Sequence, residues 1–306
     1  MKVLLGHPMA DKQTGEYVKR GFEALPDVEV VGVHDSFLEA PEKLITMMDE
    51  LKPDLVFTAK VNSYNNIASI IRSRSLLSFW SYDVRDDINI WLEDTKELYQ
   101  NAHFFFTIGK SDVEKYKQAG LHNAYWLPEG IDPTIHCKPP KFTMKDHVAY
   151  ECDVSFCGSL GTIHDGSGRI ALIEALKKES FKFEHFSNVF NLEHSKMVNF
   201  AKVNIGNSGW PNVECSMSAR DYRIMGAGGF LLTNHVNGIE DWFEVGKMCE
   251  TYHTSEQCIE KIKYYLEHVE EAHAMGVYAR KVMHAKHKFS DRLQQVVDTA
   301  KRYGSK

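Results

Sequence analysis

Short apolar runs alternate with amphipathic stretches along most of the chain. Val3–Gly6, Val28–Val33, Asp54–Thr58, Leu76–Tyr82, His103–Ile108 and Tyr125–Leu127 are too short for helices, which predicts six strands. Between them, Asp11–Leu25 places Tyr17, Val18, Phe22 and Leu25 at near-helical spacing, and Pro41–Leu51 does the same with Leu44, Ile45, Met48 and Leu51. Helices are also expected at Ile67–Arg72, Ile90–Tyr99 and Ser111–Ala119. Uninterrupted apolar strands separated by amphipathic helices are the pattern of a parallel sheet covered on both faces.

The rhythm lapses over 134–150, where Pro139-Pro140 stand among Lys138, Lys141 and Lys145 without periodicity, and this stretch is expected to be a linker. It then restarts. Strands are expected at Val154–Cys157, Phe181–Phe186, Val203–Ile205, Phe230–Thr233 and Met248–Tyr252, with helices at Arg169–Leu176, Leu192–Phe200 and Ala219–Met225. From Ser255 to Tyr303 the pattern is helical throughout. The expectation is therefore an α/β chain of two Rossmann-like, doubly wound domains facing across a cleft. Residues 1–133 form the first and 151–285 the second, and a C-terminal helix over 286–306 packs back toward the first. Ligands of such sheets bind beyond the carboxyl ends of the strands, so the cleft is the default site.

Composition agrees with this organisation. A chain of 306 residues with 43% hydrophobic and 25% charged residues has material for two cores without disulfides. A net charge of −6 argues against nucleic-acid binding through the whole surface, although a groove lined by Lys138, Lys141 and Lys145 would not show in that figure. None of the six cysteines forms a CxxC pair or a zinc-type spacing with histidine, which points to a reducing, cytoplasmic compartment. Met1–Pro8 is apolar for only three residues before a turn and reads as a buried strand rather than a signal peptide. No stretch approaches a membrane span, so no integral membrane association is expected.

Three motifs carry chemistry. Ser218–Thr233 is a short helix with charges at its start, stopped by Gly226, Gly228 and Gly229 and running into an apolar strand. Val154–Gly161, followed by Asp165-Gly166-Ser167-Gly168-Arg169, is a glycine-rich turn between strand and helix whose backbone N–H groups can hold a phosphate, with Gly158, Ser159 and Arg169 as donors. Asn204–Pro211 is a strand end entering a polar loop, where Asn207 and Ser208 can bond sugar hydroxyls and Trp210 can stack on a ring. Each also has a plain structural reading, as a helix-to-strand junction, a flexible loop and a domain-edge plug. Arg85-Asp86-Asp87 reads as a solvated loop, and His284 and His287 with Lys286 and Lys288 as a solvated basic helical face.

Arg220 to Thr233, with Gly238-Ile239-Glu240-Asp241-Trp242-Phe243 and Gly246-Lys247, resembles the C-terminal domain of the CgeB-like (spore-maturation-type) glycosyltransferases, relatives of the retaining family-four enzymes. The resemblance spans roughly Asp153 to Val297 and, more faintly, the first half. It implies a GT-B fold and transfer of a sugar from a nucleotide diphosphate-sugar, a UDP-sugar by preference, to an acceptor hydroxyl. Retention, no metal and no separate cofactor follow from the same likeness. Where the family places a Glu that bonds the nucleotide ribose, this chain has Arg223, which cannot accept a hydrogen bond, whereas Asp221 nearby can. Glu214 lies near where the relatives keep a Glu facing the sugar.

On this reading Arg220, Arg223 and Arg169 with the Gly158-Ser159 turn hold the leaving diphosphate. Asn207, Ser208, Glu214, Asp221, Tyr222, Gly228 and Gly229 face the donor, and Asp83 or His7 faces the acceptor. The acceptor is open among a glycan, a protein, a small molecule and modified DNA, and the oligomeric state is open as well. A nucleotide-sugar epimerase on the same fold, a phage-type DNA-base glucosyltransferase and a non-catalytic nucleotide-sugar or glycan-binding protein are the competing readings.

Overall fold

The structure, a computed structural model, describes residues 1–9, 14–59, 61–84, 88–160 and 168–304. The chain divides into two compact units, Met1–Pro128 with Phe289–Lys306, and Glu129–Lys288.

The first unit contains β1 (Lys2–His7), α1 (Gly15–Glu23), β2 (Glu29–Asp35), α2 (Pro41–Leu51), β3 (Leu55–Thr58), α3 (Ala68–Arg72), β4 (Leu76–Ser81), α4 (Ile88–Asn101), β5 (Phe104–Thr107), α5 (Asp112–Gln118) and β6 (Ala124–Trp126). Its parallel sheet runs β2-β1-β3-β4-β5-β6, so the winding reverses between β1 and β3. An aromatic cluster fills one face. Phe79 stacks on Phe105 at 4.9 Å, Tyr99 meets both edge-on, and Tyr99 and Tyr116 share a hydroxyl hydrogen bond of 3.1 Å. Phe57 and Phe22 pack edge to face.

The sheet of the second unit is also parallel throughout. It follows α6 (Met144–Tyr150) and is built from β7 (Cys152–Cys157), α7 (Arg169–Leu176), β8 (Phe183–Phe186), α8 (Asn191–Phe200), β9 (Ala201–Ile205), α9 (Ala219–Ala227), β10 (Leu231–Asn234) and β11 (Cys249–Tyr252). Two helices follow, α10 (Ser255–Glu267) and α11 (Val269–Lys286). The strand order is β11-β10-β9-β7-β8, which puts the reversal between β7 and β9. Gly276 of α11 brings that helix close to the end of α9, since a Cβ there would stand 2.5 Å from the Gly228 carbonyl. The last helix, α12 (Phe289–Gly304), belongs to the first unit. It lies along α1 at Gly21, where a Cβ would meet Leu293 Cδ1 at 2.6 Å.

Three expectations are corrected. The first unit ends at Pro128 rather than 133 and resumes at Phe289 rather than 286. The stretch 134–150, expected as a linker, is part of the second unit and ends in α6, whose Thr143 and Asp146 form a reciprocal capping box. Two bonds that satisfy the orphan N–H groups of a helix start outweigh the absence of apolar periodicity. Of the basic face expected around His284 and His287, Lys286 is exposed, but the two histidines are engaged by the protein. His287 is buried against Trp242 (5.1 Å) and Phe243 (5.7 Å), and His284 Nε2 lies 3.0 Å from the carbonyls of both His136 and Gly226.

Candidate functional site: an arginine-lined cavity at a strand-order reversal

In the second unit β7 ends at Cys157-Gly158 and β9 at Ile205-Gly206, side by side where the winding reverses. Chains leave the sheet in opposite directions from such a point, and a crevice opens between them. A cavity of about 550 Å³ borders the β7 side of this edge, within the usual range for a small-molecule site. Gly158, Ser159, Arg220 and Arg223 line it, and so do His185, His194 and Ser218.

The two arginines nearest the strand ends are held in place. Arg220 Nε donates to the Cys157 carbonyl at 2.5 Å and Nη1 to the Asn207 carbonyl at 3.2 Å. Arg169 donates from Nη2 to the Asn207 carbonyl (2.9 Å), from Nε to Asn207 Oδ1 (3.1 Å) and from Nη1 to the Ser159 carbonyl (3.2 Å). The Phe156 ring lies 4.5 Å from the Arg220 guanidinium and 5.8 Å from that of Arg169, so one aromatic face supports both cations. Loss of surrounding water, then the like charge of Arg169, lowers the Arg220 pKa to about 10, which leaves it charged at neutral pH. The Gly158 turn admits this arrangement because a side chain there would run into Arg220 Nη2. His185 Nε2 donates to the Gly158 carbonyl at 2.8 Å and fixes the same turn from β8.

Other sequence candidates stand behind this surface. Asp221 is fully buried, accepts from Ser208 Oγ at 3.0 Å and lies within reach of Thr233 Oγ1, so it is not the ribose acceptor that its position suggested. Burial raises its pKa. Ser208 is buried with it, its hydroxyl also accepting from the Ser218 N–H at 2.9 Å and its own N–H donating to Asn234 Oδ1 at 2.7 Å. Asn207 is equally buried and serves the two arginines rather than a sugar. The Tyr222 hydroxyl, buried under Phe243, accepts from Trp242 Nε1 at 2.8 Å. All four were expected to face the donor. Helix periodicity turns Asp221 and Tyr222 inward, and the loop after β9 does the same for Asn207 and Ser208, where each finds the partners that a buried polar group requires.

Gly228 and Gly229 are displaced more completely. They precede β10, so they sit at the amino edge of the sheet, beside a different cavity of about 520 Å³ that Lys138 and Arg280 also border. A turn that leads into a parallel strand cannot reach the edge at which that strand ends. Glu214 is half-buried beside Gly238, at the carboxyl-edge loops. In the first unit, His7 ends β1 fully buried and stacked on Phe57 at 5.5 Å, with burial lowering its pKa to about 3, so it faces no acceptor. Asp83 is exposed just beyond β4. Arg85-Asp86-Asp87 and Asp165-Gly166-Ser167 lie outside the described residues.

Residues 154–298 match the family described as "Glycosyl transferase-like". Most of the second unit, and the start of α12, are thus similar to a glycosyl transferase-like domain. Solved structures extend the likeness to the whole chain. HepE from Anabaena, in complex with UDP and glucose, aligns with a TM-score of 0.68 at 14% identity, covering 99% of this chain and 100% of that one. Sucrose-phosphate synthase from Thermosynechococcus elongatus aligns at 0.67 and 12% over 100% of both chains. The catalytic domain of starch synthase IV from Arabidopsis thaliana, bound to ADP and acarbose, gives 0.69 and 10% over 100% of this chain and 99% of that one. No curated protein matches the chain in sequence. The architecture is thus GT-B, with two Rossmann-like units and a C-terminal helix.

Among the described residues no cluster of three or more His, Cys, Asp or Glu side chains is arranged to hold a metal ion, and no helix is long and apolar enough to cross a membrane. Sequence reasoning missed His185 and His194 in this domain and named Ser218 only as the start of a motif. Neither histidine belongs to a motif, and only the fold of β8, α8 and α9 around the end of β7 gathers the three.

Proposed function

We propose that the chain transfers a sugar from a UDP-sugar to an acceptor hydroxyl with retention of configuration. The observation that carries this reading is the pair Arg169 and Arg220, fixed on the Cys157 and Asn207 carbonyls beside the Gly158 turn at the strand-order reversal. As the anomeric carbon–oxygen bond breaks, negative charge develops on the departing diphosphate. Cations already oriented by the protein stabilise that charge without reorganising. Arg223 and the N-terminal end of α9, which begins at Ala219, add to the same field, and on this reading no metal is needed to supply it. The acceptor oxygen bonds the anomeric carbon, and its proton leaves with the diphosphate.

HepE is known with UDP-glucose, and another similar fold is an α-glucosyltransferase bound to UDP-glucose and DNA containing an abasic site. The glucosyl bond of UDP-glucose is itself α, so an α-linked product preserves configuration, which supports retention. The order of Arg220, the glycine turn, the apolar strand and the Gly238 segment supports the CgeB-like branch within these enzymes. Six free cysteines support a reducing, cytoplasmic setting.

Nucleotide release during incubation with UDP-sugars and a panel of acceptors tests the proposal. Release that depends on an acceptor is expected. Conversion of the sugar with no acceptor present would assign an epimerase, and binding of UDP without turnover against any acceptor would assign a binding protein.

A further inference from the structure

Most of the stretch 138–148 is exposed, and it interleaves apolar with basic side chains away from the arginine cluster. On α6, Met144 and Val148 stand one turn apart and are 76% and 84% exposed, and Phe142 just ahead of them is 41% exposed. Lys138, Lys141 and Lys145 are exposed beside them, and none of the three meets an acidic partner among the described residues. The fold holds this exposure in place. On the opposite side of α6 the buried Asp146 accepts from the Thr143 N–H and hydroxyl, both at 2.8 Å, and from Lys196 Nζ of α8 at 3.1 Å. Those bonds tie α6 to α8 with Met144 and Val148 turned outward.

The same character continues onto α11. Lys138 borders two cavities, of about 520 and 840 Å³, that also share His273, Val277 and Arg280; Phe142 lines the first, and Tyr278 and Lys281 line the second. Arg280 and Lys281 have no carboxylate partner among the described residues, and Glu270 is the one acidic residue bordering either cavity. In a chain of net charge −6, this gathering of unpaired cations around exposed apolar side chains is a local exception. The phosphate backbone of a nucleic acid would answer the cations and offer nothing to Met144, Val148 or Val277. A bilayer surface carrying anionic phospholipid answers both, because aliphatic side chains enter the headgroup boundary while Lys and Arg reach the lipid phosphates.

We propose that this face, centred on Phe142, Met144 and Val148 with Lys138, Lys141 and Lys145, docks the protein on an anionic membrane surface. Apolar insertion and charge attraction act together, as they do in other peripheral contacts with a bilayer. The contact is peripheral, since no helix among the described residues is long and apolar enough to cross a membrane. The cavities lie at the amino edge of the second sheet, where β10 begins, and the arginine cluster lies at the carboxyl edge. Docking therefore does not depend on what the arginine cluster binds.

Vesicle flotation of the full chain tests the proposal. The wild type is expected to float with vesicles of phosphatidylcholine and phosphatidylglycerol in equal parts, to stay behind from phosphatidylcholine alone, and to bind less as salt rises. Lys141→Glu with Lys145→Glu should lower partitioning roughly tenfold or more, and Met144→Ser with Val148→Ser should lower it several-fold. All four positions are exposed, so both variants should keep the melting temperature of the wild type. Lys141→Gln with Lys145→Gln, which removes charge without reversing it, takes the place of the glutamate pair if that pair does not fold. Failure of the wild type to bind the anionic vesicles, or binding that either folded variant leaves unchanged, overturns the proposal. Loss in the lysine variant alone, together with binding of double-stranded DNA, assigns the face to nucleic acid instead.

Discussion

His7 and His194 are chemically alike and differently surrounded. Each is buried near the carboxyl edge of its sheet, each has an unpartnered ring nitrogen, and burial lowers the pKa of each to about 3. Around His7 stand Phe57 and the core of the first unit; around His194 stand Arg220, Arg223 and a cavity. Burial is the first cause at both, and at His194 the charges of Arg223 and Arg220 act in the same direction. Function is decided by what else the fold brings to the spot, and in the second unit it brings cations fixed on the ends of two strands. The two units share one architecture, but among the described residues only the second carries an arginine cluster where its winding reverses. Chemistry is grafted onto such folds at their edges.

The largest expected effect comes from removing that cluster's centre. Arg220→Ala should lower the rate of sugar transfer by about 10²- to 10³-fold while the melting temperature stays near that of the wild type. Normal turnover in a folded Arg220→Ala protein would erase the distinction between the two units. Gly158→Ala is next. The added methyl displaces the Arg220 guanidinium and is strained at a φ of 157°, so affinity for UDP should fall roughly tenfold by calorimetry and stability by about 1 kcal/mol in denaturant unfolding.

The two histidines can be compared directly through pH. Each has a native pKa below its unfolded value of 6.5, so the unfolded chain takes up protons that the native chain refuses. Stability from each is therefore full above pH 6.5 and is lost as pH falls toward 3, by up to about 1.4 kcal/mol per pH unit per histidine. His7→Phe should flatten denaturant-measured stability over that range and leave UDP binding unchanged, and a drop in UDP affinity would show that His7 serves the site after all. The smallest effect belongs to the amino edge. Gly228 has φ of 89°, so Gly228→Ala should cost about 1 kcal/mol of stability and leave nucleotide affinity untouched.

Alternating short apolar runs and amphipathic stretches were enough to predict all eleven strands found among the described residues, because side-chain burial in a doubly wound sheet is a local, periodic property. The same reasoning found Arg220, Arg169 and the Gly158 turn, since helix starts and strand ends are marked in the chain itself. It erred where direction mattered. Asp221 and Tyr222 follow Arg220 directly, yet successive helix positions point about 100° apart, and these two turn into the core. Gly228 and Gly229 look like a phosphate turn in one dimension, and the parallel sheet puts them at its far edge.

Local order of apolar and polar residues therefore settles which elements form and where the chain turns, because each is decided within a few residues. Which side chains meet is a different matter. His194 and Arg220 are 26 positions apart, and Arg169 and Asn207 are 38 apart. Only the order β11-β10-β9-β7-β8 brings the ends of β7 and β9 side by side, and with them the arginines, the glycine turn and the unpartnered imidazole nitrogen. Contact between distant segments depends on strand pairing and close packing across the whole sheet, and no local pattern encodes that.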